Sequence, residues 1–226
     1  MIAVAIDGPA GAGKSSVARA AAKETGFMYV DTGALYRTVT LDLLRRGVDL
    51  DDPNAIKAAL PQTEISLTYE NGEQKVHLHG EDVTEHIRTE EVSRSTPICA
   101  AIPAVRNFLL ELQRSLARKH RVIMDGRDIG TVVLPDAPLK IFLTASAEER
   151  ARRRAAQLTA AGETADFSEI LRDIIARDER DSHRETAPLK QAQDAVLLDT
   201  SDLNFEAAVA VVVSLIRERL LLPQKY

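Results

Sequence analysis

The sequence predicts an α/β fold in which helices cover both faces of a parallel β-sheet. Two observations favour it, and a third marks a region that departs from it. Short apolar runs alternate with longer segments of helical periodicity, as in chains of strand–helix units. The runs are almost continuously apolar, which is typical of strands buried on both faces. One region, at residues 64–79, breaks the alternation with an antiparallel type of pattern.

The elements follow in order along the chain. Five apolar runs predict the strands of the sheet: Ile2–Ile6, Phe27–Val30, Val122–Met124, Leu139–Leu143 and Ala195–Leu198. Apolar residues at helical spacing predict six helices between and after these strands: Lys14–Thr25, Ala34–Arg46, Pro103–Lys119, Ala147–Ala161, Phe167–His183 and Phe205–Leu221.

The region that breaks the alternation predicts a β-hairpin. Two β-type runs, Glu64–Glu70 and Glu73–His79, flank Asn71-Gly72, a pair that favours the tight turns of hairpins. A hairpin fits no strand–helix–strand unit. We therefore expect an inserted subdomain at about residues 60–100, to which Arg88–Ala100 adds a helix.

Composition limits the classes of protein that remain. The 226 residues are 45% hydrophobic, enough for one sizeable core, which we assign to residues 1–59 and 101–226. A net charge of −5 argues against a general binder of nucleic acid. The single cysteine, Cys99, lies in an apolar run and is predicted to be buried. No signal peptide or membrane span is recognisable, so we expect a soluble, cytoplasmic protein.

The segment after the first predicted strand has the pattern of a phosphate-binding loop. The residues Gly8-Pro9-Ala10-Gly11-Ala12-Gly13-Lys14-Ser15 match G-x-x-x-x-G-K-S/T, and a helical pattern follows directly. Glycines let the backbone wrap a phosphate with its N–H groups turned inward, and the helix N-terminus adds partial positive charge. Lys14 would reach the β- and γ-phosphates, and Ser15 would bind Mg²⁺. The sheet is therefore predicted to be of the P-loop NTPase type, with a nucleoside triphosphate and Mg²⁺ as ligands.

A second Mg²⁺ ligand is expected at the end of a neighbouring strand. Asp125 directly follows the predicted strand Val122–Met124 and would hold the ion through water. The pair Asp125-Gly126 would also fit an ordinary turn at a strand end, so both interpretations stay open at this point.

Arginines indicate a kinase among the P-loop proteins. The sequence has no guanine-reading Asn-Lys-x-Asp motif, whereas a small-molecule kinase needs a second, arginine-lined anion pocket. One predicted helix carries an apolar stripe with the spacing of a buried face: Phe167, Ile170, Leu171, Ile174 and Ile175. The same stripe continues as Arg177, Asp181 and Arg184, and inward-facing charges must be paired or must meet a ligand. A salt-bridged helix end that emerges into solvent is the alternative.

Other basic residues indicate a cleft and a lid. Arg37, Arg106 and Arg127, most of them near predicted strand ends, would together line the anion cleft. The run Arg150–Arg154 begins another predicted helix, and a glycine interrupts the pattern before the next one. A mobile lid at about residues 150–165 would need this arrangement, although a solvated charged helix would also explain the run.

The tripeptide Asp31-Thr32-Gly33 also carries the catalytic carboxylate in aspartic proteases. That chemistry needs two carboxylates that share one proton. The nearest second copy, Asp199-Thr200-Ser201, lacks the glycine. A homodimer could bring two copies together, so the P-loop decides against a protease, and we interpret Asp31 as a cap at the start of the following helix.

Six segments resemble bacterial cytidylate (CMP) kinases, which belong to the nucleoside monophosphate kinases. They are IDGPAGAGKSS, DTGALYR, EDVTEHIRTEEVS, DGRDIGTVVLPDAPLKIFL, RDERDSHR and LLDTS, and they run from Ile6 to Ser201. The combination of DGRDIGT with an inserted hairpin is specific. The resemblance implies ATP-dependent phosphorylation of CMP and dCMP with Mg²⁺, on a P-loop sheet with a nucleotide-binding insert and a short helical lid.

The resemblance also implies roles for individual residues. Those expected at the CMP site are Thr32, Arg37, Arg106, Arg127, Asp128, Arg177, Asp181 and Arg184. Those expected at the ATP site are Gly8, Pro9, Ala10, Gly11, Ala12, Gly13, Lys14, Ser15, Ser16 and Arg153. Those expected to be catalytic are Lys14, Arg127 and Arg184, and those expected to hold Mg²⁺ are Ser15 and Asp125.

Within the CMP site, the resemblance assigns each part of the nucleotide. Thr32, Arg106 and Asp128 would face the cytosine, and a carboxylate such as Asp128 could prefer cytosine to uracil because cytosine has an exocyclic amino donor. The ribose would face Arg177 and Asp181. The acceptor phosphate would be held by the remaining arginines: Arg37, Arg127 and Arg184.

Two alternative functions stay open from the sequence. Another P-loop small-molecule kinase, for example one for UMP or shikimate, would share the main motifs. A non-catalytic nucleotide-binding module is disfavoured by the joint presence of Lys14, Ser15 and Asp125. We expect a monomer, because no sustained heptad seam is present, and no nucleic-acid polymer or membrane as partner.

Overall fold

The computed structural model describes residues 2–70 and 73–220. Asn71-Gly72, predicted as the hairpin turn, and Leu221, predicted as the last residue of the final helix, lie outside the described residues. The strands are β1 (Ala3–Asp7), β2 (Met28–Asp31), β3 (Ile65–Glu70), β4 (Glu73–Leu78), β5 (Glu81–Asp82), β6 (Val122–Gly126), β7 (Leu139–Thr144) and β8 (Val196–Asp199). The α-helices are α1 (Lys14–Thr25), α2 (Thr32–Arg45), α3 (Pro53–Ala59), α4 (Glu90–Ala101), α5 (Pro103–Lys119), α6 (Ala147–Ala160), α7 (Phe167–His183) and α8 (Phe205–Arg219).

Five strands form a parallel sheet in the order β2-β6-β1-β7-β8. Every neighbouring pair in this sheet is parallel, and β1 lies at its centre between β6 and β7. The carboxyl ends of the strands therefore meet at one edge, where open α/β sheets bind their ligands. The predicted α/β class is confirmed.

Helices cover both faces of the sheet. On one face, α1 and α8 bury Val17, Ala21 and Val212 against strand residues such as Ile6 and Ile141. On the other face, Ala117 of α5 and the segment 129–137 pack on the strands. Because both faces are covered, the strand residues are mostly apolar, as the continuous runs in the sequence predict, and most of the charged residues lie at the carboxyl ends of the strands.

A second, three-stranded antiparallel sheet has the order β3-β4-β5. Its buried side chains, among them Val76 and Leu78, pack against Leu41 of α2. Two polar contacts join it to the free edge of β2: the Tyr69 hydroxyl donates to the Tyr29 carbonyl at 3.0 Å, and the Asp31 amide donates to Gln74 Oε1 at 2.9 Å. This sheet falls within the predicted insert, and its role in binding a monophosphate stays a prediction.

Asp31 caps α2, as predicted, and shifts the start of the helix. Its Oδ1 accepts a hydrogen bond from the Ala34 amide at 2.9 Å, so the helix includes Thr32 and Gly33 instead of beginning at Ala34. The predicted burial of Cys99 is confirmed as well, because the residue is fully buried against α2 and α5.

The prediction of a buried stripe along α7 is wrong. All of α7 is described, and none of its residues is buried; Phe167 and Ile175 are 39% and 48% exposed. The main neighbour of α7 is the single helix α6, which leaves much of the stripe in contact with solvent. An amphipathic pattern indicates which face of a helix is apolar, but not how completely a neighbour covers it.

Five short elements in the described residues were not predicted from the sequence. They are α3, β5, two 3₁₀ turns at Leu60–Gln62 and His86–Arg88, and one π-helical turn at Ile129–Val133. Two residues separate the end of β6 from the π-turn, which packs against one face of the parallel sheet. None of the described helices is both long enough and apolar enough to cross a membrane.

Candidate active site

The loop between β1 and α1 has the backbone of a phosphate-binding loop. Gly8 has φ of +150°, and a Cβ there would lie 1.9 Å from the Leu143 carbonyl oxygen, so only glycine fits. Gly13 is the N-cap of α1 in the left-handed region, with no side chain capping the helix. The first amides of α1 are therefore free of a side-chain cap, and a helix N-terminus of this kind favours an anion.

Lys14 lies inside this loop. It is 5% exposed, and its Nζ donates to the Pro9 carbonyl at 2.6 Å. Burial lowers the pKa of Lys14 well below its usual value, and Arg127 lowers it further, while Asp125 and Asp7 act in the opposite direction. A phosphate between Lys14 and Arg127 would relieve the repulsion between the two cations.

Asp125 lies beside the loop at the end of β6. It is buried, and both carboxylate oxygens accept hydrogen bonds: Oδ2 from Ser15 Oγ at 2.7 Å and Oδ1 from the Tyr29 hydroxyl at 2.9 Å. Burial and then Asp31 raise the pKa of Asp125, and Lys14 opposes them. We call the P-loop with Lys14, Ser15 and Asp125 the donor half of the site.

Asp128 is the centre of a second group of charges, across the carboxyl edge from the P-loop. It is 4% exposed; Arg106 donates a close hydrogen bond to its Oδ2, and Arg184 lies 3.5 Å from its Oδ1. Arg106 also donates to the Ala100 carbonyl at 3.1 Å. The Thr32 hydroxyl lies nearby but donates to the Asp125 carbonyl at 2.7 Å.

Further arginines extend this group towards the donor half. Arg127 pairs with Asp181 at 2.8 Å, and Arg37 pairs with Asp31 at 3.0 Å. Arg177 is exposed and belongs to none of the ion pairs within residues 2–70 and 73–220. Desolvation by the surrounding protein and then Arg127 nevertheless lower the pKa of Arg177, while Asp181 acts in the opposite direction. We call the following residues the acceptor half of the site: Asp31, Thr32, Arg37, Arg106, Arg127, Asp128, Arg177, Asp181 and Arg184.

The structure also places the predicted lid residue. Arg153 pairs with Glu149 at 3.0 Å and donates to Thr200 at the end of β8, so it lies beside the segment 199–201. Ser16 is exposed at the start of α1. Gly8, Pro9, Ala10, Gly11 and Ala12 form the loop itself, between β1 and the N-cap Gly13.

Three residues contact the site in ways that were not predicted from the sequence, and one of them, Arg150, was named there only within the basic run of the lid. Arg150 is 4% exposed and joins α6 to the Asp178 carboxylate of α7 and to the Ala10 carbonyl of the P-loop at 2.9 Å. Tyr29 binds Asp125, as described above. Asp7 accepts hydrogen bonds from two amides of the π-turn. An acid inside an otherwise apolar strand directly before the loop was the available signal for Asp7.

A P-loop that faces an arginine-lined cleft across the carboxyl edge of a parallel sheet defines a kinase of the P-loop class. The particular family follows from comparison with known proteins. The family model described as "Cytidylate kinase" matches residues 4–218, and the chain belongs to that family.

Curated relatives are similar over nearly their full lengths. The cytidylate kinase of Carboxydothermus hydrogenoformans is 51% identical over 94% of this chain and 96% of the relative. That of Desulfitobacterium hafniense is 52% identical over 96% of this chain and 93% of the relative. A crystal structure of an uncharacterized protein from Eubacterium ventriosum has a TM-score of 0.52 at 14% identity and covers 97% of this chain and 100% of that one. That last likeness shows the fold alone.

Proposed function

We propose that this kinase transfers the γ-phosphate of ATP to the phosphate of CMP and dCMP. One observation carries the proposal: a buried carboxylate, Asp128, lies in the arginine-lined cleft, and Arg106 and Arg184 hold it there. Cytosine presents an exocyclic amino donor where uracil presents a carbonyl oxygen. A carboxylate accepts from the amino group and repels the oxygen, so Asp128 selects cytosine.

The donor half binds the triphosphate. The backbone N–H groups of residues 10–13 and the N-terminus of α1 surround the phosphates, and Lys14 moves from the Pro9 carbonyl to the β- and γ-oxygens. Ser16 at the start of α1 and Arg153 beside residues 199–201 extend this half towards the rest of ATP.

The side chains of the donor half fit Mg²⁺. Ser15 Oγ and Asp125 Oδ2 lie 2.7 Å apart, and both are oxygen ligands of the kind that Mg²⁺ prefers. Within the described residues there is no cluster of three histidine, cysteine or acidic side chains, which suits an ion held by one or two side chains and by substrate phosphates. Ser15 and Asp125 would hold Mg²⁺, and the ion would supply positive charge that offsets the charge developing on the phosphates in transfer.

In the acceptor half, the phosphate of CMP replaces carboxylates as a partner of the arginines. Arg37, Arg127 and Arg184 each contact a carboxylate in this structure, and the acceptor phosphate takes over part of those contacts. Arg106 and the Thr32 hydroxyl accompany Asp128 at the base. Lys14, Arg127 and Arg184 then stabilise the charge spread over the transferred phosphoryl group, and no catalytic base is required.

The rest of the proposal concerns the ribose contacts, the inserted subdomain and the lid. Arg177 and Asp181, at the end of α7 nearest the cleft, contact the ribose hydroxyls. Residues 60–100 form the monophosphate-binding subdomain, and residues about 150–165 form a lid over ATP. The protein acts as a soluble monomer in the cytoplasm.

A panel of acceptors tests the assignment. ADP release is measured with Mg-ATP and CMP, dCMP, UMP, AMP or shikimate, and with no acceptor as the blank. Leaving a buried hydrogen-bonding group unmatched costs about 1–3 kcal/mol, so kcat/KM for CMP should exceed that for UMP by about 5- to 150-fold. Equal or faster turnover of AMP, UMP or shikimate overturns the proposal, and so does ATP binding without any acceptor-dependent ADP release.

A further inference from the structure

Asp7 is a buried carboxylate at the junction between the two halves of the site. It is the last residue of β1, directly before Gly8, and it is 4% exposed. Its Oδ1 accepts from the Ile129 amide and its Oδ2 from the Gly130 amide, both at 2.7 Å. These are the first two amides of the π-turn, and they directly follow Asp128.

These bonds take the place of an ordinary helix cap. Asp128 is the N-cap residue of the π-turn, and an aspartate there normally accepts from the second or third amide of the turn, here that of Gly130 or Thr131. Asp128 makes no such bond; its carboxylate contacts Arg106 and Arg184 instead. Asp7 satisfies the amides from a neighbouring strand and leaves the Asp128 carboxylate free to face the cleft.

Close packing fixes the position of the turn against Asp7. A Cβ on Gly130 would lie 3.3 Å from Asp7 Oδ2 and 3.1 Å from Lys140 Cδ, so the backbone is confined between these two side chains. Lys140 is itself held by the Asp194 carboxylate at 2.8 Å. The carboxylate of Asp7 and the stem of Lys140 therefore leave little room for the turn to shift.

We infer that Asp7 is a positioning residue for acceptor recognition, which holds the π-turn so that Asp128 faces the bound base. This inference rests on the proposed function and adds a residue to it. Asp7 makes its bonds through backbone amides, so it acts on the base only through the placement of Asp128. The two amides oppose the effect of burial, which raises the pKa of Asp7 to about 6.

An alternative role for Asp7 is a charge interaction with Lys14 in the donor half. Its charge is close enough to Lys14 to raise the pKa of that lysine. If this charge interaction were the main role, a neutral residue at position 7 would change the KM for ATP and kcat. The positioning role instead changes the KM for CMP and the preference for CMP over UMP.

The substitution Asp7→Asn distinguishes the positioning role from the charge interaction with Lys14. Asparagine keeps the size but accepts with one atom only, and its amide group opposes the second N–H. We expect the KM for CMP to rise about 10-fold or more, because a charge-assisted bond to the turn is lost, and we expect the ratio of kcat/KM for CMP over UMP to fall. The KM for ATP should change by less than about 2-fold.

Gly130→Ala disturbs the same contact from the other side and keeps the test available if Asp7→Asn does not fold. Its KM for CMP should rise in the same way, and the double variant should be non-additive because both changes act on one contact. Val213→Ala, in the core between α1 and α8, serves as the destabilised control and should leave both KM values unchanged.

Two outcomes overturn the inference. One is a rise in the KM for ATP as large as that for CMP, and the other is a loss of thermal stability with both KM values unchanged. Wild-type turnover is measured beside the variants. If the wild type does not phosphorylate CMP, the proposed function fails; if it does and the Asp7→Asn and Gly130→Ala variants keep its KM for CMP, only the role of Asp7 fails.

Discussion

The donor and acceptor halves of the site are organised by different interactions. The donor half is built mainly from backbone: glycines shape the loop, and Lys14 donates to a main-chain carbonyl, while Ser15 and Asp125 add a side-chain contact. The acceptor half is built from ion pairs, in which Arg37, Arg106 and Arg127 each contact a carboxylate. A backbone cradle exists before its ligand arrives, whereas paired charges must exchange partners when the ligand binds.

This difference explains why the two halves respond differently to substitution. In the acceptor half, removal of one partner leaves the other as an uncompensated charge, so the same change affects both stability and binding. In the donor half, loss of a donor removes a group that acts mainly on the phosphates. The following four predictions test this contrast, from the largest expected effect to the smallest.

Asp128→Ala should have the largest effect on stability. Arg106 is 8% exposed and would lose its carboxylate, and breaking a buried pair of this kind costs about 3–5 kcal/mol. Chemical denaturation measures this loss, and the KM for CMP should rise far more than the KM for ATP. Asp136→Ala, which removes an exposed acid a few residues further along, should change neither. Comparable rises in both KM values would remove the proposed base-reading role of Asp128.

Lys14→Met should show the opposite pattern. Removal of one preorganised donor from a site of developing charge costs about 10²–10³ in kcat, or about 2.7–4 kcal/mol. The free energy of unfolding should not fall by a comparable amount, because burial already disfavours the charged amine. Steady-state kinetics checks the prediction, with Lys23→Met at the exposed end of the same helix as control. A loss in kcat below about 10-fold would contradict it.

The sequence alone predicts the two halves to different extents. The P-loop is contiguous, and its chemistry follows from eight neighbouring residues. The strand–helix alternation likewise depends on local periodicity, so the parallel sheet is predicted correctly. The Arg150–Asp178 and Asp7–Ile129 contacts join residues that are 28 and 122 positions apart, and no local pattern indicates them.

The predictions that failed also depend on contacts between residues that are distant in the sequence. The stripe on α7 is clearly apolar, yet its burial depends on how many elements pack against it, and α6 is its main neighbour. The π-turn at Ile129–Val133 depends on Asp7, a distant side chain that accepts from its amides. The arrangement of the acceptor half is therefore visible only in the structure, because tertiary contacts determine where its charged side chains point and which groups they pair with.

Asp7 joins the two halves, and its titration gives a third prediction. Burial raises the pKa of Asp7 from 3.8 to about 6, so the folded state favours the protonated acid. The stability due to this proton is present below pH 3.8 and is lost as the pH rises through 6. The free energy of unfolding of the wild type, minus that of Asp7→Asn, should therefore fall by up to about 3 kcal/mol between pH 4 and pH 7. Urea denaturation at several pH values measures this difference, and a flat or rising curve would contradict the prediction.

The smallest expected effect concerns the contact between the small sheet and β2. Tyr69→Phe removes one hydrogen bond to the Tyr29 carbonyl, at the free edge of the parallel sheet, and should lower the free energy of unfolding by about 0.5–1.5 kcal/mol. Because the bond joins the two sheets without touching the charged groups, amide hydrogen exchange in β3 and β4 should accelerate while kcat stays within about 2-fold. Thr68→Val is the matched control, since it removes the bond to His77 on the exposed side of the same strand and should leave the docking intact. Equal exchange in the two variants would show that the Tyr69 bond does not hold the small sheet against β2.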